Sequence, residues 1–270
     1  MARRRLLLVA AGGVAIGVAT VTGRGGGGHL APSALDEAPH TGPARQPAKA
    51  TSNAHPARAA GHASGERPAR TVDTVAGQPM YSVDDGLDVI ALTIDDGPSP
   101  VYTPQVLRIL EKYDIKAAFS MVGENVAYYP SVAREVADAG HTIVNHTWNH
   151  ANLMSMKRSK LPGEVDRATD AIQSATGQRP RMFRAPYGAW SPTLLDYCAR
   201  EKLTPLDWSV DPKDWTRPGV GKIVKAIMGT TKTGSIILEH DGGGDRSQTV
   251  AALKIAIPRL IDEGYQFTVP

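Results

Sequence analysis

Two histidines four residues apart, His146 and His150, are the first residues that suggest chemistry. Four residues is about one helical turn, so a helix would carry both imidazoles on one face. Two imidazoles and a carboxylate leave positions open for water and substrate, which is what a catalytic metal needs. The H-x-x-x-H spacing is common by itself. It is also not the H-E-x-x-H of zinc proteases, because Thr147 stands in the glutamate position. A third ligand must come from elsewhere in the chain. Asp95 and Asp96 offer one: two adjacent carboxylates directly after an apolar run repel each other, and a cation at one of them relieves that repulsion. Successive side chains leaving a strand point different ways, so one of the pair can bind metal while the other stays free as a base. Arg184, Asp211, Asp214 and His240 are the remaining charged or titratable residues that follow short apolar runs. His141 and Asn145 flank the histidine pair, either supporting it or simply bounding a strand.

The elements that must position these residues alternate between strand-like and helix-like patterns. Strands are expected at Asp88–Ile94, Lys116–Met121, Thr142–Asn145, Arg181–Arg184, Thr204–Val210, Ser235–Glu239 and Tyr265–Val269. A first helix is expected with Thr103 as N-cap and Pro104 behind it, and with Val106, Ile109, Leu110 and Tyr113 on one face. Ser131 is expected to cap a helix ending at Gly140. Glu164–Thr176 is helical, with Val165, Ala168, Ile172 and Ala175 inward and Gly177 as its stop. Ser191 and Pro192 open another helix, and Val220–Met228 and Arg246–Glu263 complete the set. About seven β/α units imply a parallel sheet or barrel, whose site forms where strands end and loops begin. Every chemical residue above falls at such a place.

Composition separates this region from what precedes it. The chain has 270 residues, and no Phe, Tyr or Trp occurs before Tyr81. Arg24 to about Gln78 is mostly Gly, Ala, Pro, His, Ser and Arg, too poor in apolar surface to offset its ordering entropy. Residues 1–75 hold nine Lys/Arg against four acidic residues. The rest holds 21 basic and 23 acidic residues, so the net charge of +3 arises in the tail. A domain without basic excess argues against nucleic acid as a partner. Arg3, Arg4 and Arg5 before an apolar or small stretch from Leu6 to Val21 read as an export signal or N-terminal anchor. That places the protein outside the cell or at its surface, with membrane contact only through this segment. Cys198 is the single cysteine, so no intrachain disulfide is available, and its helical surroundings suit a core residue.

Five motifs in order resemble the polysaccharide deacetylases of the NodB-homology type, carbohydrate esterase family 4. They are Thr93-Ile94-Asp95-Asp96-Gly97-Pro98, His146-Thr147-Trp148-Asn149-His150, Arg184-Ala185-Pro186-Tyr187, Asp211-Pro212-Lys213-Asp214-Trp215 and Leu238-Glu239-His240. Ile94 stands where Phe is usual. The resemblance implies a distorted, incomplete (β/α)7-type barrel of the α/β class over residues 80–270, behind a signal or anchor (1–23) and a disordered linker (24–79). It implies Asp96, His146 and His150 as ligands of a divalent ion, zinc or in some members cobalt. Asp95 is then the general base, Arg184 its partner, and the Tyr187 backbone N–H an oxyanion donor. His240 is the acid, tuned by Asp214 rather than Asp211, and Trp215 and Leu238 wall the acetyl slot. Glu239 is expected to face away from Leu238 and His240. The implied substrate is an N-acetylated polysaccharide, of peptidoglycan or chitin type, acted on by a monomer. An O-acetyl esterase acting on a polymer such as xylan is the alternative. A dead wall- or sugar-binding protein is disfavoured, because the ligands, base and acid are all present.

Overall fold

The computed structural model describes residues 77–84 and 86–270. The expected signal segment and all but the last three residues of the expected linker lie outside these. Seven strands are present: β1 (Val89–Asp95), β2 (Ala118–Met121), β3 (Thr142–Asn145), β4 (Met182–Phe183), β5 (Thr204–Pro205), β6 (Ile236–His240) and β7 (Gln266–Thr268). All pair in parallel, in the order β5-β4-β3-β2-β1-β6, with β7 on the first residues of β1. A single bridge between Val210 and Ile237 is what links the segment after β5 to β6. The result is the expected distorted, incomplete barrel.

The strand pleat decides which residues become core and which become site. Along β1, Ile90, Leu92 and Ile94 face the covering helices and join the main apolar cluster. Val89 and Ala91 join a second, interior cluster with Ala118, Val144, Met182, Leu206 and Ile236. Thr93 and Asp95 continue that interior row, so the alternation that builds the core also delivers a carboxylate to the barrel mouth. Full burial of an Ile or Leu stabilises by about 1.5–3 kcal/mol, and these rows fix the register of the strands that carry the site.

The helices are α1 (Thr103–Lys112), α2 (Gly123–Tyr128), α3 (Pro130–Asp138), α4 (Leu161–Thr176), α5 (Pro192–Arg200), α6 (Val220–Thr230) and α7 (Ser247–Asp262). The expected stripe on α4 is buried, and Gly177 ends it in the left-handed conformation at φ 76°. Ser191 caps α5 by accepting from the Leu194 amide. Two expected caps differ. Tyr102, not Thr103, precedes α1, because the Thr103 hydroxyl accepts from the Ser99 amide and donates to Asp241. Pro130, not a serine cap, starts α3. The expected strand Thr204–Val210 shortens to two residues. The Leu206 amide makes the last bond to β4, at the Phe183 carbonyl; after it the Asp207 amide bonds Met80, and the Ser209 and Val210 amides both turn to Ile236.

Candidate active site

Asp95 ends β1 and is almost fully buried. Its Oδ1 accepts from Arg184 Nη1 at 2.6 Å. Arg184 is itself wholly buried, and it also donates to Thr93 Oγ1 (2.8 Å) and the Asp207 carbonyl (2.9 Å). Removing one member of such a pair would leave the other charge buried without compensation. Asp95 Oδ2 is left facing the histidines, 3.8 Å from His146 Nε2.

The next residue turns the chain. Asp96 adopts φ 72°, a left-handed conformation that is rare for a non-glycine residue. Neighbours hold it there. Asn125 on α2 donates to its carbonyl at 2.8 Å, and the backbone of Gly242 lies so close that a Cβ there would overlap the Asp96 backbone. The turn aims Asp96 Oδ1 at His150 Nε2 (3.3 Å) and His146 Nε2 (3.6 Å).

The histidine pair does not sit on a helical turn. His146 and His150 bound a loop after β3 in which Thr147 (φ 66°) and His150 (φ 61°) are left-handed. His146 Nδ1 donates to the Arg184 carbonyl at 2.8 Å, which puts the ring proton on Nδ1 and leaves the Nε2 lone pair toward Asp96. His150 Nδ1 lies 3.2 Å from the Tyr187 hydroxyl, again leaving Nε2 inward. The three ligand atoms lie within 4.8 Å of one another. Bonds of about 2.0–2.1 Å to a tetrahedral ion would hold ligand atoms about 3.3–3.4 Å apart. The measured 3.3 and 3.6 Å edges fit such an ion.

His240 ends β6, the strand beside β1, in register with Asp95. Its Nδ1 is 2.7 Å from Asp214 Oδ1, and its amide donates to Asp214 Oδ2 at 3.0 Å. Thr249 on α7 donates to the same oxygen at 2.6 Å. Burial alone would pull the His240 imidazole down. The bond to Asp214 and the charges of Asp214, Asp96 and Asp95 outweigh it and carry the pKa up to about 9. For Asp96, burial pushes upward but the close approach of His146 and the charges of the neighbouring histidines win, holding it well below the usual carboxylate range. Burial and His146 together push His150 down. Glu239 does not line the cavity that His240 lines, although its carboxyl lies near Asp214. It is fully buried, and burial and Asp214 raise its carboxyl well above the ordinary value.

These groups share one cavity of about 480 Å³. Asp95, Asp96, His146, His150, Tyr187, Trp215, Leu238 and His240 line it, while Arg184 and Asp214 stand behind Asp95 and His240. Asp211 lines the wall but makes no bond to His240. Trp208, Gly243 and Arg246 also line it and carried no sequence signal of their own. Arg246 reads as the start of a helix; in fact its guanidinium folds back to the Gly242, Gly243 and Trp215 carbonyls.

A parallel α/β half-barrel that collects an Asp–His–His triad, a buried Asp–Arg pair and a buried His–Asp pair at its strand ends defines a hydrolase. Residues 82–206 match the family model described as polysaccharide deacetylase. The chitooligosaccharide deacetylase of Sinorhizobium fredii is 40% identical over 191 residues, 67% of this chain and 89% of that one. A peptidoglycan-N-acetylglucosamine deacetylase of Bacillus cereus is 38% identical over 193 residues, covering 71% and 90%. The crystal structure of the Bc1960 peptidoglycan N-acetylglucosamine deacetylase superposes with a TM-score of 0.68 at 30% identity, covering 70% of this chain and 89% of that one. The chain belongs to the polysaccharide deacetylase family, and it is an enzyme of that family.

Proposed function

We propose that this protein hydrolyses the N-acetyl groups of N-acetylglucosamine units in a polysaccharide of peptidoglycan or chitin type, with one divalent ion, zinc or alternatively cobalt, held by Asp96, His146 and His150. The observation that carries this is one triad flanked by two held groups, the Asp95 carboxylate bonded to Arg184 and the His240 imidazole bonded to Asp214. A divalent ion at these ligands acidifies water and polarises an acetyl carbonyl. Arg184 and Thr93 fix Asp95 so that Oδ2 is the free oxygen, and that oxygen takes the proton of the attacking water. The water oxygen adds to the acetyl carbon, and the Tyr187 amide N–H supports the developing oxyanion. Asp214 occupies His240 Nδ1, so the Nε2 proton is the one given to the departing amine as the C–N bond breaks. The products are acetate and the free glucosamine unit. Trp215 and Leu238 wall the acetyl methyl. We also propose that the N-terminal arginines and apolar stretch export the enzyme to the cell surface or beyond, where it works as a monomer.

The test is acetate release by the purified protein from chitin oligomers, peptidoglycan and acetylxylan side by side. Release from an N-acetylated polymer is expected. Release from acetylxylan alone would replace this reading with an O-acetyl esterase.

A further inference from the structure

The loop from His146 to His150 carries two of the three ligands of the site as read above, and little inside the loop itself fixes its shape. Its two left-handed residues each cost on the order of 1 kcal/mol or more, so the conformation must be imposed from outside. Helix α4 imposes it. Asn145 bonds the Thr147 amide through Oδ1 at 2.9 Å, and its Nδ2 is anchored at 2.8 Å to both the Val165 carbonyl and Thr169 Oγ1. One oxygen of Glu164, Oε2, accepts from the next two amides, Trp148 N at 3.2 Å and Asn149 N at 3.3 Å. The Arg167 guanidinium lies 3.6 Å over the Trp148 ring. On the other side α2 closes the grip: the Gly123 and Glu124 amides donate to the Thr147 and Trp148 carbonyls, and Glu124 accepts from Trp148 Nε1 at 3.1 Å.

We infer that Glu164 is a positioning residue of the metal site: by holding two of the three amides between the histidines, those of Trp148 and Asn149, it sets where His150 stands relative to His146 and Asp96. Glu164 makes no hydrogen bond or ion pair to any of the three ligands; its bonds go to the two loop amides. The same carboxylate sits in the first turn of α4, where an acidic residue also complements the helix dipole. That simpler role would alter helix stability and leave the ligand geometry alone. The inference rests on the metal-site reading, and it makes a claim about affinity that the simpler role does not.

The experiment is competition for zinc between a chromophoric chelator and the full chain, with thermal melting in parallel. Glu164→Ala is expected to weaken zinc binding roughly 10–100-fold, the size of effect usual when an outer support of a metal ligand is lost. Glu164→Gln keeps an oxygen that accepts the same two bonds and should restore most of the affinity. Glu164→Asp is one methylene shorter and should behave like Ala, which gives a second variant if Ala does not fold. Asp170→Ala, on the same helix with its side chain 75% exposed, should bind like wild type. Glu164→Ala binding zinc as tightly as wild type while melting lower would overturn the inference and leave Glu164 as a helix-end acid. Glu164→Gln as weak as Ala would overturn it too, by making charge rather than hydrogen bonding the cause. Wild type that binds no divalent ion is a different result: it removes the reading of the site and this inference with it.

Discussion

Asp95 and His240 stand side by side at the ends of neighbouring strands beside the triad, and the leaving group separates their roles. Asp95→Asn should keep the metal and lose roughly 10²–10⁴-fold in rate, the usual worth of a general base. The loss should be the same on amide and aryl acetate substrates, because both need the attacking water. His240→Ala should cripple hydrolysis of N-acetylglucosamine oligomers and spare much aryl acetate hydrolysis, since a phenolate leaves without a proton. Rates of both variants on both substrates, with metal content checked, decide this; equal losses for His240→Ala would remove it as the leaving-group acid. His240 also carries a pH signature. In the metal-free protein its imidazole should titrate near 9, and Asp214→Asn should bring it down toward its ordinary value, as followed by NMR. The folded pKa is raised, so the stability it contributes is complete below about 6.5 and is lost as pH rises through about 9. At this scale the sequence was informative because the ligand, base and acid types fall in short motifs at strand ends. Trp208 and Arg246 were not legible. Their side chains reach the cavity from a broken strand and a helix start, and only the tertiary path brings them there.

Elements with strong periodicity were legible, and those shaped by long-range bonds were not. Helix α4 and its glycine stop follow from the apolar stripe and Gly177. Gly177→Ala should cost about 1 kcal/mol, because the added Cβ meets open space and only the left-handed backbone opposes it. Melting should fall by about 2–4 °C for a domain of this size, with zinc affinity unchanged; a larger fall would mean the helix end has packing not apparent here. The short helix α2 escaped notice because six residues show no full apolar period and it opens on glycine. That glycine has a reason: a Cβ at Gly123 would come within 2.7 Å of the Trp148 ring. The strand expected through Val210 stops because β4 itself ends at Phe183: Leu206 makes the last bond to it, and the Asp207, Ser209 and Val210 amides bond to Met80 and Ile236 instead. The histidine loop looked like a helical turn from its spacing alone, and bonds from α2 and α4 decided otherwise.

For the whole molecule, composition sets the expected folded unit at residues 80–270, and the described strands and helices, from Val89 on, lie within it. Deleting residues 1–75 should leave a soluble, folded domain with full activity on soluble oligomers, as measured by circular dichroism and acetate release. Failure to fold would mean that residues before Met80 belong to the barrel. The barrel brings Asp96, His146 and His150 together from strands more than 40 residues apart in sequence, and the account stands on what that triad holds. The most direct test is acetate release from N-acetylglucosamine oligomers by protein stripped with a chelator and then reloaded, with metal content measured at each stage. The account predicts no turnover in the stripped protein, recovery with one equivalent of zinc or cobalt, and no metal retained by His146→Ala or His150→Ala. Full activity in stripped protein free of bound metal would contradict it.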